Sequence, residues 1–337
     1  MKKILVTGGA GFIGSNFVRM VLDEHPDALV VNLDKLTYAG NLENLDGYLD
    51  RENHIFVKGD ICDGGLVAML LEEHHIDWIV NFAAESHVDR SIIGPKVFID
   101  TNVSGTLTLL QAGREKQIEK FLQVSTDEVY GSLGTDGLFT ETTPLSPNSP
   151  YFASKASADH LVCAFGHTYD LPYSITRCSN NYGPFQFPEK LIPLMIHNAL
   201  NDKPLPVYGD GLNVRDWLFV YDHCTAIWAV LNQGQTGQIY NIGGCNEKPN
   251  IEVVKIILNH LNKPESLISY VTDRLGHDRR YAIDATKIMT ELGWKPSVDF
   301  EEGIKKTIGW YIQNKKWLSN VVSGDYQSYY EEMYKQR

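Results

Sequence analysis

Lys2-Lys3-Ile4-Leu5-Val6-Thr7 runs without a break into Gly8-Gly9-Ala10-Gly11-Phe12-Ile13-Gly14, and then into Ser15-Asn16-Phe17-Val18-Arg19-Met20-Val21-Leu22. The first segment is short and apolar, as a buried parallel strand should be. The last has helical periodicity. Between them Gly8, Gly11 and Gly14 stand in a G-x-x-G-x-x-G register. Glycine permits the tight turn and lets the backbone approach a pyrophosphate, which then sits at the positive end of the helix. A lone glycine motif is weak; a strand before it and a helix after it give it weight.

Outward from this turn the same alternation repeats. A second strand, residues 28–33, ends at Asp34, 20 residues after Gly14. A carboxylate there would hydrogen-bond the adenosine ribose and repel a 2′-phosphate, so NAD is expected rather than NADP. The plain alternative is a capping Asp at a strand end. Residues 55–61 read as a third strand whose Asp60 and Ile61 would flank the adenine. Residues 78–84 read as a fourth, with Ala83 and Ala84 small enough for a cofactor to lie close. The polar run Glu85-Ser86-His87-Val88-Asp89-Arg90-Ser91 faces the same crevice. A helix is expected over about 95–116, carrying Thr101 and Asn102. Five strands separated by helices predict an α/β protein, a Rossmann-type doubly wound parallel sheet, with a smaller mixed α/β substrate-binding cap.

The fifth strand is Phe121-Leu122-Gln123-Val124-Ser125-Thr126, and it breaks into Asp127-Glu128-Val129-Tyr130. Ligands of open α/β sheets bind beyond the carboxyl ends of the strands, so these polar groups are candidates for chemistry; the plain alternative, equally open from this stretch alone, is a solvated turn. Downstream, Tyr151 and Lys155 stand at i and i+4 on one helix face. A free phenol, with a pKa of about 10, is a poor base at neutral pH. A nearby ammonium and the positive nicotinamide of NAD⁺ would favour its phenolate. Taken alone, the pair would be an ordinary amphipathic spacing. Adjacent acids that cannot both ionise cheaply have their pKa values pushed apart, giving one acid and one base. Strict strand alternation would point Asp127 and Glu128 to opposite faces. Both can serve one ligand only if the backbone bends after Thr126.

The chain has 337 residues, 43% hydrophobic and 21% charged, an ordinary globular balance. Its net charge of −12 argues against a nucleic-acid surface. Cys62, Cys163, Cys178, Cys224 and Cys245 are scattered without zinc spacing, so no metal is expected, and reduced thiols in a cytoplasmic protein are. No apolar run approaches the ~20 residues of a membrane helix. A sixth strand, residues 173–178, ends at Ser179-Asn180-Asn181, and residues 206–208 read as a short strand. Helical patterns at 220–232, 251–261, 285–292 and 300–314 are grouped into the cap. Arg215 and Arg274 suit a diphosphate, since planar guanidiniums bind oxyanions bidentately, although either alone would equally be a surface ion pair.

These stretches together resemble the extended short-chain dehydrogenases, and among them the sugar-nucleotide 4,6-dehydratases. The resemblance rests on Thr7 to Ser15, Asp34 to Asn41, Ala83 to Ser91, Ser125 to Gly131 and Asn180 to Leu191, and reaches to about residue 285. It implies bound NAD, regenerated at each turnover, on Gly8, Gly11, Phe12, Ile13, Gly14, Asp34, Lys35, Leu36, Thr37, Asp60, Ile61, Phe82, Ala83, Ala84, Ser86, Thr101, Tyr151, Lys155 and Asn180. It implies a nucleotide-diphosphate hexose, dTDP-glucose, on Ser86, His87, Thr126, Asn181, Glu189, Lys190, Leu191, Pro206, Val207, Tyr208, Arg215, Asn250, Arg274 and His277. The implied catalytic group is Thr126 (orienting the 4-oxygen), Asp127 (acid), Glu128 (base), Tyr151 and Lys155 (oxidation at C4). The Thr-Asp-Glu trio separates this resemblance from sugar-nucleotide 4-epimerases, which together with a UDP-linked dehydratase are the nearest alternatives. A non-catalytic NAD-sensing protein is the alternative of another class. The expected organisation is a cofactor domain over 1–180, with 215–245 returning to it, a nucleotide-sugar domain over 181–322, and a tail over 323–337 without a functional reading. Related enzymes pair the helices near 95–116 and 151–169 into a homodimer, so a homodimer is expected, with no nucleic-acid or membrane partner.

Overall fold

The computed structural model describes residues 2–273 and 276–322. Arg274 and the tail 323–337 lie outside the described residues. Strands are numbered in chain order. Seven of them form one parallel sheet: β1 (Lys3–Thr7), β2 (Leu29–Asp34), β3 (His54–Lys58), β4 (Trp78–Asn81), β5 (Lys120–Thr126), β6 (Tyr173–Cys178) and β10 (Gln238–Ile242). Their spatial order is β10-β6-β5-β4-β1-β2-β3. The order reverses between β1 and β4, so the crevice beyond their carboxyl ends is where an open α/β sheet receives a ligand. A three-stranded sheet is built from β7 (Asn180–Tyr182), β9 (Val214–Phe219) and β11 (Glu247–Pro249), and a two-stranded one from β8 (Leu205–Tyr208) and β12 (Ile268–Val271).

Both faces of the large sheet are covered, which is why its central strands read as continuous apolar runs. One face packs Phe17, Val18 and Val21 of the helix Phe12–Glu24 against Ile227 and Val230 of the helix Val220–Gln233. The other packs Leu70, Leu109, Leu110, Val162 and Phe165. A separate apolar cluster, with Ile192, Met195, Trp217, Val254, Ile257, Phe300, Ile304 and Tyr311, holds the two small sheets and their helices.

Three sequence expectations change. The helices Val220–Gln233 and Thr286–Leu292, grouped with the cap by their periodicity, pack with Ile4, Val6 and Phe17 of the large sheet's layer, the side to which residues 215–245 were also expected to return. Periodicity shows that a helix has an apolar face, not what the face meets. Strand β3 stops at Lys58 and β4 at Asn81, so Asp60, Ile61, Phe82, Ala83 and Ala84 lie just past the strand ends. The helix expected over 95–116 is interrupted by a π-helical segment at Ile99–Gly105, between Pro95–Phe98 and Thr106–Glu115.

Candidate active site

One cavity of about 300 Å³ lies beyond the carboxyl ends of β1, β2, β4, β5 and β6. Its first wall is shaped by backbone. Gly8 has φ +71, and a Cβ there would stand 2.7 Å from the Ala83 nitrogen. A Cβ on Gly14 would stand 2.2 Å from the Gly8 carbonyl oxygen. The helix Phe12–Glu24 begins with no side-chain cap, and Gly11, Phe12, Ile13 and Gly14 at its start line the cavity. At the end of β2, Asp34 accepts from Ala10 N (2.9 Å) and Leu36 N (2.8 Å). Burial pushes its carboxyl up, and these two bonds oppose the shift. Leu36 adopts φ 57, so the chain turns away immediately after the carboxylate. Lys35 pairs with Asp60 at 2.7 Å. A cradle that no Cβ could enter, an open helix N-terminus and a carboxylate at the β2 end fit NAD.

The second wall is built from side chains. Strand β5 ends at Thr126, and a 3₁₀ turn spans Asp127–Tyr130. Thr126 caps it: its Oγ1 accepts from Glu128 N at 3.3 Å and lies 3.2 Å from Glu128 Oε2. This is the bend that two neighbouring acids require, and both Asp127 and Glu128 line the cavity. Asp127 is buried; desolvation and then the Glu128 charge hold its carboxyl well above the usual range, which favours its protonated form. The helix Pro150–Tyr169 opens with Ser149 accepting from Phe152 N and with Pro150 in its first turn, which sets Tyr151 and Lys155 on the cavity. Lys155 Nζ donates to Val124 O at 2.7 Å. Its pKa is lowered by burial, with Asp159 opposing. The Tyr151 phenol is pushed well up, first by burial and then by Glu128, Cys178 and Asp127. Burial, and after it the acids that share the cavity, oppose the phenolate, so the lowering expected from Lys155 and a positive nicotinamide together falls to the bound cofactor.

Asn102, in the π segment, fastens the two walls. It accepts from Glu85 N, and its amide reaches Glu85 O and Ser154 Oγ at 2.9 and 2.8 Å. On the far side, Asn181 is oriented by His223, whose ring nitrogen lies 2.9 Å from Asn181 Oδ1. Burial pushes His223 down to about 3, so the ring is neutral. Glu189 is buried, with Tyr38 donating to it at 3.2 Å and Arg90 forming an ion pair with its other oxygen at 3.5 Å. Burial pushes its carboxyl up to about 7, against Lys190 and Arg90.

The cavity wall brings together all the cofactor residues expected from sequence except Leu36, together with Ser86, Thr126, Asn181, Glu189 and Lys190. It does not include His87, Leu191, Pro206, Val207, Tyr208, Arg215, Asn250 or His277. Of these, His87 lies 3.9 Å from Glu189, and Leu191 starts the helix Leu191–Leu200. Pro206 and Val207 are within β8. Tyr208 Oη reaches Asp89 at 3.5 Å, and its ring meets His277 edge-on at 6.0 Å. Asn250 opens the helix Asn250–His260, and its backbone N–H donates to Asn213 O. Arg215 is no surface ion pair: it is buried over the Tyr281 ring (4.3 Å) and donates to Asp278 O. Its charge nevertheless acts on Asp127, so this group adjoins the acidic turn. Ser125, Cys178, Gln186 and Phe187 also line the cavity and were not singled out from sequence. Residue order gives no signal for them beyond their place at the strand ends.

A doubly wound sheet whose switch-point crevice holds a glycine cradle, a Tyr/Lys helix and two acids defines an NAD-dependent short-chain dehydrogenase-type enzyme. The family model described as GDP-mannose 4,6-dehydratase matches residues 5–307, and the chain belongs to this family. It is 59% identical over 341 residues to the dTDP-glucose 4,6-dehydratase of Xanthomonas campestris pv. campestris strain B100, covering 96% of this chain and 97% of that one. Two solved structures are similar. The dTDP-glucose 4,6-dehydratase of Bacillus anthracis in complex with NAD superposes with TM-score 0.90 at 54% identity, covering 95% of this chain and 100% of that one. The dTDP-glucose 4,6-dehydratase of Streptomyces venezuelae with NAD and TYD bound gives 0.92 at 51% identity, covering 95% and 99%.

Proposed function

We propose that this chain is an NAD-dependent hydro-lyase acting on dTDP-glucose: oxidation at C4, loss of water across C5 and C6, and reduction at C6, giving dTDP-4-keto-6-deoxy-glucose. The observation that carries this reading is the 3₁₀ turn at Asp127–Tyr130, which delivers both acids to the cavity that Tyr151 and Lys155 line. NAD held on the cradle of Gly8, Gly11 and Gly14 and by Asp34 would supply the hydride acceptor for C4 and the hydride donor for C6. Tyr151 takes the proton of the sugar 4-hydroxyl, and Thr126 Oγ1 holds the 4-oxygen. The 4-ketone acidifies the C5 proton, because the carbanion delocalises into an enolate. Glu128 removes that proton and gives it back to C5 when hydride reaches C6. Asp127, its protonated form favoured by burial and by its neighbour, gives its own proton to the departing 6-hydroxyl. Asn181, Glu189 and Lys190 in the wall, with Arg215, Tyr208, Asn250 and His277 beyond it, are the groups for sugar and nucleotide.

The epimerase reading is set aside because an epimerase needs no acid pair at this turn. Incubation of the purified protein with dTDP-glucose, without added NAD, yields the 4-keto-6-deoxy sugar, followed by mass spectrometry as loss of water. Recovery of the 4-epimer instead would overturn the reading.

We further infer a homodimer through the face that carries Val97 (45% exposed) and Ile99 (45%), apolar side chains on the first of the segments expected to pair, with Ile93 (66%) just before it. Sedimentation of the same preparation at monomer mass would refute it. The five thiols are unpaired, which fits a reducing cytoplasm, and no described helix is long and apolar enough to cross a membrane. Oxidation of these thiols to disulfides in protein taken from cells would count against that location.

A further inference from the structure

Behind the cavity, and in no part of its wall, a buried junction joins the acidic turn to the Tyr/Lys helix. Asp159 lies four residues after Lys155, which lies four after Tyr151, so all three share one face of the helix Pro150–Tyr169. Arg177 of β6, opposite Ser125 of β5, donates from Nε to Asp159 Oδ2 at 2.9 Å. From Nη1 it donates to Tyr130 Oη at 3.1 Å. Tyr130 is the last residue of the turn that carries Asp127 and Glu128. Its hydroxyl donates to Asn241 Oδ1 of β10 at 2.8 Å, and its ring stacks on Phe139 at 5.0 Å. Asn241 in turn donates to Phe139 O. Asp159 and Arg177 are respectively 1% and 3% exposed, so solvent does not compete for these bonds.

This arrangement answers a mechanical need. A single 3₁₀ turn has poor internal hydrogen-bond geometry and does not hold its own direction well. The oxidising group sits on a 20-residue helix, the eliminating acids on that turn, and one sugar must meet both. The planar guanidinium, with donors in a rigid fork, fixes the distance between helix and turn. We propose that Tyr130, clamped by Arg177 to Asp159, is a positioning residue for the elimination half of the reaction, setting Asp127 and Glu128 against the sugar that Tyr151 oxidises. The proposal rests on the dehydratase reading above.

Tyr130→Phe removes the hydroxyl and keeps the ring on Phe139. dTDP-xylose, which has the same ring positions but no C6, reports oxidation alone. The variant is expected to oxidise dTDP-xylose within about twofold of the wild-type rate, while kcat on dTDP-glucose falls on the order of 10- to 100-fold with KM little changed. Reduced-nicotinamide absorbance should accumulate during that slowed turnover. Arg177→Lys, a point charge that keeps Asp159 company but cannot bridge to Tyr130, should give the same split. Equal slowing of both half-reactions in both variants, as from a merely structural role, overturns the proposal; so does wild-type turnover of dTDP-glucose by Tyr130→Phe. A wild-type protein that makes no 4-keto-6-deoxy sugar instead fails the dehydratase reading, whatever the variants do.

Discussion

The two walls of the cavity are made in different ways. The wall at β1, β2 and β4 is steric: glycines with no room for a Cβ and an uncapped helix end. Its ion pair, Lys35 with Asp60, keeps a lysine side chain that is 58% exposed, so water screens it. The wall at β5, β6 and the helix Pro150–Tyr169, continued on the far side by the segment that carries Glu189, is electrostatic. Asp127 and Tyr151 are raised, Lys155 is lowered and Glu189 sits at about 7, each chiefly by burial. A cofactor that stays bound needs shape, which backbone supplies without cost in desolvation. Groups that move protons near neutrality need displaced pKa values, and only buried side chains supply those. The first wall should therefore fail all at once, and the second one step at a time.

Gly14→Ala tests the first half of that contrast and has the largest expected effect. The new Cβ meets the Gly8 carbonyl oxygen at 2.2 Å, and backbone must move to admit it. The purified variant should carry no stoichiometric NAD and make no product from dTDP-glucose. Full NAD content, measured on the denatured protein, would show that the cradle is looser than its contacts indicate.

Glu128→Gln tests the second half. The amide keeps the size of the side chain and its place beside Thr126 Oγ1 but takes no proton from C5. kcat should fall by about 10²- to 10⁴-fold, the usual contribution of a positioned acid or base. Oxidation at C4 should persist, seen as reduced-nicotinamide absorbance on rapid mixing with dTDP-glucose. Loss of that signal together with product would give Glu128 a role in the first step.

The same contrast explains what could be read from the sequence. The glycine turn, Asp34 and strands β1, β2, β5 and β6 were legible to within a residue or two, because they are local patterns. The bend after Thr126 could be required but not seen: it depends on a Thr126 side-chain cap and on the burial of the turn. Strand β10 was passed over because Gln238-Ile239-Tyr240-Asn241-Ile242 is short and becomes a strand only by pairing with residues 174–178. The π segment that aims Asn102 at Glu85 and Ser154 leaves no trace in an otherwise helical pattern. Tyr208, Arg215, Asn250 and His277 rested on the resemblance, and Arg215 also on guanidinium chemistry, neither of which says which partners a buried arginine takes within the fold.

Glu189 offers the finest test of the electrostatic wall, because its effect is a slope rather than a loss. Its carboxyl is raised from an ordinary 4.5 to about 7, with burial outweighing Lys190, Arg90 and Tyr38. Between those values the folded protein holds a proton that the unfolded chain has released. Stability from this group is thus fully present below pH 4.5 and lost as pH rises through about 7. The shift corresponds to about 3 kcal/mol. Glu189→Gln keeps an acceptor for Tyr38 and removes the titration. Urea unfolding of both proteins should give similar midpoints at pH 5 and a higher midpoint for the variant at pH 8. Parallel midpoints at the two pH values would mean that Arg90 and Lys190 already neutralise this carboxylate, and that burial on this wall is better compensated than on the acidic turn.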